Sequence, residues 1–211
     1  MIRPSHILFI FLAFLTAAGG CSNDRGNQTQ KPSPQEIKKQ LPASDLIGTS
    51  INNFPDTGLV THSENQFYFE ELPGKPLIIS FMYTRCPMAK MCPLITRKMK
   101  KVRSSLLEEG HSDFKLVTVT FDPDHDTPAV LRKYRRSRKI EATNWTFVTG
   151  PGETVDALVD RFKISTKQTE SGQIVHNLRT YLIDQNGTIK KWYRGSQWNV
   201  DTVTDDLRKL I

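Results

Sequence analysis

Residues 76–83 read Pro-Leu-Ile-Ile-Ser-Phe-Met-Tyr, a near-continuous apolar run punctuated at its start by Gly74 and Lys75. A run of this length without polar alternation predicts a central strand buried on both faces. Such a strand must be covered above and below, which constrains the chain toward an α/β architecture.

The segments around it supply the cover. In residues 93–109, Ile95, Met99, Val102 and Leu106 recur at spacings of four, three and four, forming one apolar helical stripe. Pro93 suits the first helical position and Gly110 the stop. Residues 114–121 alternate and predict a second strand. Residues 127–138 predict a helix with Asp126 available as its cap. A short strand is expected at 145–149, then a helix at 153–162 with Val155, Leu158, Val159 and Phe162 on one side. Two further strands, 178–183 and 188–193, flank Asp184-Gln185-Asn186-Gly187, where Asn-Gly is a strong hairpin signal. Residues 200–211 close the chain as a helix. This order predicts a mixed sheet flanked by helices, as in a thioredoxin-like α/β fold, although the pattern alone leaves other α/β folds open.

The chain has 211 residues, 37% hydrophobic and 24% charged, enough for one packed domain and against global disorder. Residues 1–20 read as a signal peptide. Arg3 and His6 form a short basic start, and 7–18 is an apolar run too short to span a bilayer. Ala17, Ala18, Gly19 and Gly20 lead into Cys21 in a pattern that resembles the bacterial lipobox, making Cys21 the expected lipidation site. The alternative is an ordinary signal with Cys21 as a leftover thiol. Residues 21–44, with Pro32, Pro34 and Pro42 and almost no apolar side chains, read as a linker. The folded domain is expected over 45–211. A bacterial membrane-anchored lipoprotein facing the periplasm or cell exterior follows from these readings. The net charge of +7 suits a membrane surface or an acidic partner, or simply a soluble basic surface. The run Lys133 to Lys139 is expected to be a solvated helix face or a docking patch for an acidic membrane partner. An exported protein rarely meets nucleic acid, and none is expected here.

Chemistry concentrates between the central strand and the first long helix, in Thr84-Arg85-Cys86-Pro87-Met88-Ala89-Lys90-Met91-Cys92-Pro93. Functional groups often sit at the carboxyl ends of strands in such sheets. Cys92 is expected at the helix N-terminus, where unpaired N–H groups and the helix dipole favour a thiolate, with Arg85 and Lys90 adding positive charge. Five residues separate the cysteines. On a continuous helix the sulfurs would stand about 9 Å apart along the axis, too far to share a metal or a disulfide, so the segment must loop back. A structural disulfide and two unrelated thiols are the competing readings. Two thiolates suit Cu(I) or zinc, and a neutral imidazole is the natural third ligand. His6 leaves with the signal, and His62, His111 and His125 fall in expected loops. His176 immediately precedes an expected strand, a position where a histidine is more often structural than a ligand.

Three motifs in order then resemble the SCO/SenC family. Tyr83-Thr84-Arg85-Cys86-Pro87 with Cys92-Pro93 is similar to its cysteine motif. Phe121-Asp122-Pro123-Asp124-His125-Asp126-Thr127-Pro128 is similar to its DPxxDTP loop. His176, followed by residues 178–184 and an Asn-Gly turn, is similar to its histidine-and-strand element. The resemblance covers roughly 45–211. It implies a thioredoxin-like fold in which Cys86, Cys92 and His176 bind copper, as Cu(I) or Cu(II), with Cys86 and Cys92 also a redox-active pair. Asp122 would lie just behind the ligands. The implied role is assembly of the copper centre of cytochrome c oxidase. The implied partner is its copper-bearing subunit or another copper acceptor, with a lipid anchor to the membrane and a monomeric chain. One departure stands out: the best-known members have three residues between the cysteines. Met88 and Met91 lie inside the longer loop and could offer thioether sulfur to Cu(I), with loop packing the commoner use.

Two rival activities would draw on the same residues. A thiol-disulfide oxidoreductase acting on exported proteins would use the same cysteines, although thioredoxins have two residues between theirs and a cis-proline beside the site. A peroxiredoxin-like peroxidase would need Thr-x-x-Cys, whereas Thr84 stands two positions before Cys86.

Overall fold

The computed structural model describes residues 43–211. The expected signal peptide, Cys21 and nearly all of the expected linker lie outside the described residues. Ala43 to Leu46 form a 3-10 turn with Ala43 and Leu46 buried, so Ala43 and Ser44 already belong to packed structure. No helix among the described residues is long and apolar enough to cross a membrane.

A six-stranded sheet organises the domain. Its strands are β1 (Val60–Thr61), β2 (Leu77–Met82), β3 (Lys115–Thr120), β4 (Trp145–Thr149), β7 (Arg179–Ile183) and β8 (Ile189–Arg194), in the order β1-β4-β3-β2-β7-β8. β5 (Thr166–Gln168) and β6 (Ile174–His176) form a separate antiparallel hairpin. β2 runs parallel to β3 and antiparallel to β7, and all six of its residues are buried, as its near-continuous apolar run requires. Four helices accompany the sheet: α1 (Cys92–Glu108), α2 (Pro128–Ser137), α3 (Gly152–Arg161) and α4 (Val200–Arg208). α1 packs against α4, and α2 lies against β4. The result is a thioredoxin-like mixed sheet flanked by helices.

Local chemistry fixes the element ends. Ile95, Met99, Val102 and Leu106 are all buried, and α1 stops in a Schellman motif at Gly110, φ +86°. There His111 N–H reaches Leu106 O at 2.8 Å and Gly110 N–H reaches Leu107 O at 3.0 Å. The β7–β8 turn carries Gly187 at φ +79°, and a Cβ there would stand 2.5 Å from Asn52 Oδ1. Asp184 Oδ1 accepts from the N–H groups of Asn186 and Thr188, each at 2.9 Å.

Two expectations are corrected. The cap of α2 is Thr127, whose Oγ1 accepts from Val130 N–H, and Asp126 is turned inward instead. Pro128 takes the first helical position, which leaves the residue before it as the cap. The basic run 133–139 is not one solvated face either. Arg135 is buried, stacked 5.3 Å from the Phe147 ring centre, with its guanidinium donating to the carbonyls of Trp145 and Ala142.

His62, expected in a loop, follows β1 directly and packs edge-on to Phe147. Its Nδ1 accepts from Phe147 N–H at 3.3 Å. Burial, with the Arg135 charge nearby, holds its pKa down to about 4. A histidine that protonates near 6.5 when unfolded and near 4 when folded stabilises fully above the first value, and that contribution fades as pH falls between the two. His62→Asn is therefore expected to flatten the dependence of the urea midpoint on pH across that window. An unchanged slope would refute the assignment.

Candidate functional site: two sulfurs and an imidazole

The site forms where β2 ends. Beyond Met82 the backbone leaves the sheet, and Cys86 N–H turns back to Tyr83 O at 3.4 Å. Thr84 is held by Asp126, whose carboxyl group is fully buried. Thr84 N–H donates to it at 2.9 Å and the Thr84 hydroxyl donates to its other oxygen. Thr120 Oγ1, at 2.6 Å, and His125 Nδ1, at 2.9 Å, complete its partners. Arg85 makes a two-pronged contact with Asp122, Nε to Oδ2 at 2.7 Å and Nη2 to Oδ1 at 3.0 Å. The loop that ends β3 thus clamps the two residues before Cys86.

The five residues between the cysteines are anchored at mid-span. Ser196 Oγ donates to Lys90 O at 2.7 Å, and Arg97 Nη2 donates to Ala89 O at 3.4 Å. Lys98 Nζ, from α1, ties down Ser196 O at 2.7 Å. Met91 packs against the core, whereas Met88 is 56% exposed. Cys92 then opens α1, completely buried, and Cys86 stays half-exposed as a second free thiol.

His176 arrives on the β5–β6 hairpin, paired with Thr166, and is only 7% exposed. Its ring sits between Tyr83 and Phe121, with ring centres 5.7 and 4.5 Å away. His176 Nδ1 lies 2.9 Å from Asn177 O. A carbonyl can only accept, so Nδ1 carries the proton and Nε2 presents its lone pair. That nitrogen is 3.6 Å from Cys92 Sγ. The ligand atoms of Cys86, Cys92 and His176 all lie within 4.8 Å of one another. Metal–sulfur and metal–nitrogen bonds of roughly 2.0–2.3 Å span donor separations of this size. The donor set fits a soft ion.

Electrostatically the sulfurs are unequal, and the expectation for Cys92 is reversed. Hydrogen bonding from the Cys92 thiol holds the Cys86 pKa down to about 4, against the opposing effect of burial. Cys92 is pushed up, because it donates to the Cys86 thiolate and because it is buried. Burial and a neighbouring anion outweigh the helix N-terminus. Alkylation at pH 6 is therefore expected to label Cys86 at close to its pH 8 rate, where an ordinary thiol would slow by roughly two orders of magnitude. Peptide mapping that found Cys92 labelled first would contradict this asymmetry.

Asp122, His125 and Asp126 also bring ligand-type atoms within 4.8 Å of one another. Asp122 is engaged by Arg85 and Asp126 by two threonines, which marks this as the scaffold of the cysteine loop. Sequence reasoning missed Asp126 in that role, and missed Thr84 and Ser196. The only sequence signal is a Thr two residues before the first cysteine and an Asp just ahead of a helix that starts with proline.

A family model described as SCO1/SenC matches residues 54–211. This chain belongs to the SCO1/SenC family. It is 28% identical over 141 residues to the SCO1 protein homolog of Bacillus subtilis, across 65% of this chain and 70% of that one. The solved structure of a SCO1/SenC family lipoprotein from Bacillus anthracis is 27% identical, with a TM-score of 0.67, covering 78% of this chain and 98% of that one. Arabidopsis thaliana ScoI, solved with copper bound, has the same fold at 24% identity and a TM-score of 0.64, covering 72% and 93%.

Proposed function

We propose that this SCO1/SenC protein is a copper metallochaperone that binds copper through Cys86, Cys92 and His176. The observation that carries the reading is the convergence, within 4.8 Å, of the two sulfurs of the β2–α1 loop and an imidazole nitrogen from the distant β5–β6 hairpin. The cargo meets the half-exposed Cys86 first. Full binding then removes the Cys92 proton, so uptake is coupled to proton release and to keeping both thiols reduced. Asp122 acts behind the ligands, setting Arg85 and through it the Cys86 loop. The copper-bound Arabidopsis relative supports copper as the cargo. The acceptor in this reading is the copper-bearing subunit of cytochrome c oxidase or another copper protein. A lipid on Cys21 would hold the chain at the outer face of a bacterial membrane, as the lipoprotein description of the Bacillus anthracis relative suggests. The test is Cu(I) loading of the reduced chain against a competing chelator. The parent is expected to retain one copper per chain, and Cys86→Ser and Cys92→Ser to retain none. Equal retention by either variant overturns the reading.

One observation favours a second activity at the same atoms. A half-exposed thiolate backed by a buried thiol is the arrangement of a thiol-disulfide exchange pair, Cys86 attacking and Cys92 resolving. Full disulfide turnover by a copper-free His176→Ala protein would place exchange ahead of delivery.

A further inference from the structure

A groove of about 1060 Å³ runs between α1, the end of α2 and the start of α4. Its walls carry six cations, Arg97, Lys98, Lys100, Lys101, Arg138 and Lys139, against two acids, Glu108 and Asp201. Among the described residues none of the six forms an ion pair. Lys98 and Lys100 are directed at backbone carbonyls, those of Ser196 and Trp198 and of Arg138 and Lys139 respectively. Arg138 lies over the Tyr134 ring. Arg97, Lys101, Arg138 and Lys139 are exposed. Uncompensated positive charge in a concavity raises the local potential and draws anions.

The groove also reaches the site. Arg97 donates to Ala89 O, and Lys98 holds the Ser196 carbonyl while the Ser196 hydroxyl holds Lys90 O, so the groove wall is joined directly to the cysteine loop. We propose that this groove docks an acidic segment of the protein that exchanges copper or thiol equivalents with Cys86. The proposal rests on the reading of the cysteine site as the point of exchange, but its test needs neither copper nor turnover. A concave channel between helices admits a protruding chain segment, whereas a flat lipid surface meets only its rim. Charge complementarity here sets encounter rate and orientation.

The experiment uses the full chain, reduced and metal-free, with fluorescein-labelled octaglutamate as the probe. Anisotropy is expected to report saturable binding that weakens at least about tenfold between 20 and 200 mM salt. The Lys101→Glu/Lys139→Glu double variant is expected to lose at least tenfold, and Lys101→Gln/Lys139→Gln an intermediate amount. Acetylation footprinting should show octaglutamate protecting Lys101 and Lys139 but not Lys167 or Lys190, which lie on other elements. Equal protection of all four lysines overturns the proposal, as does binding indifferent to the double variant. Protection of Lys101 and Lys139 by phosphatidylglycerol vesicles but not by the peptide also overturns it, in favour of a membrane contact. Copper retention by the double variant is read separately, so a failed groove and a failed copper site give different results.

Discussion

Exchange of His176 for alanine is expected to weaken Cu(I) retention by about 100-fold or more, since loss of groups merely behind a ligand already costs roughly 10- to 100-fold. The β5–β6 hairpin brings His176 in, Tyr83 and Phe121 flank it, and the Asn177 carbonyl fixes the proton on Nδ1. Nε2 is therefore turned toward the sulfurs, 3.6 Å from Cys92 Sγ, before any ion arrives, and little reorganisation opposes binding. Both thiols should still titrate in the variant, and its far-UV dichroism should match the parent. Chelator competition reads the affinity directly. Retention within a few-fold of the parent would remove the histidine from the ligand set.

Asp126→Ala is expected to destabilise the domain by about 3 kcal/mol, roughly a 10 °C fall in the unfolding midpoint for a domain of this size. The Asp126 carboxyl group is fully buried and receives donors from Thr84, Thr120 and His125, which joins the ends of β2 and β3 to the loop before α2. Truncation strands the buried Thr120 hydroxyl and the half-buried Thr84 N–H, and an unsatisfied buried donor carries its full desolvation penalty. Asp126→Asn keeps one acceptor oxygen and should recover part of the loss. Because Thr84 lies two residues before Cys86, the low-pH alkylation rate of Cys86 should fall in both variants. A midpoint within about 2 °C of the parent would show that the three threads hold without the carboxyl group.

The elements with strong periodicity are legible in the sequence itself. β2 shows itself as a near-continuous apolar run, and α1 by the stripe from Ile95 to Leu106, because burial on defined faces leaves a pattern that a sequence must carry. The β5–β6 hairpin was not legible. Thr166, Lys167 and Gln168 are all exposed, so no apolar alternation marks that strand, and the hairpin is recognisable only by its pairing. Yet that hairpin delivers His176. The sequence places His176 beside a strand as one candidate third ligand with a structural role the commoner alternative, and the resemblance is what favours the ligand role. The relative acidity of the thiols was misjudged for a similar reason. The helix start at Cys92 is visible in sequence, but the complete burial that outweighs it is a property of the packed chain. Asp126 shows the same limit: its position invited a capping role, and only the fold reveals three donors converging on it.

The mid-span attachment of the cysteine segment has a mechanical consequence. With Ala89 and Lys90 fastened from behind, the Met88 carbonyl accepting from Met91 N–H at 2.9 Å and Cys92 locked into a helix start, most of the span is fixed and Pro87 is the link to Cys86. Opening or closing the distance between the sulfurs therefore becomes a movement of one atom's neighbourhood rather than of the whole segment. The two added residues, relative to the shorter spacing of the best-known family members, lengthen the strap without loosening the buckle.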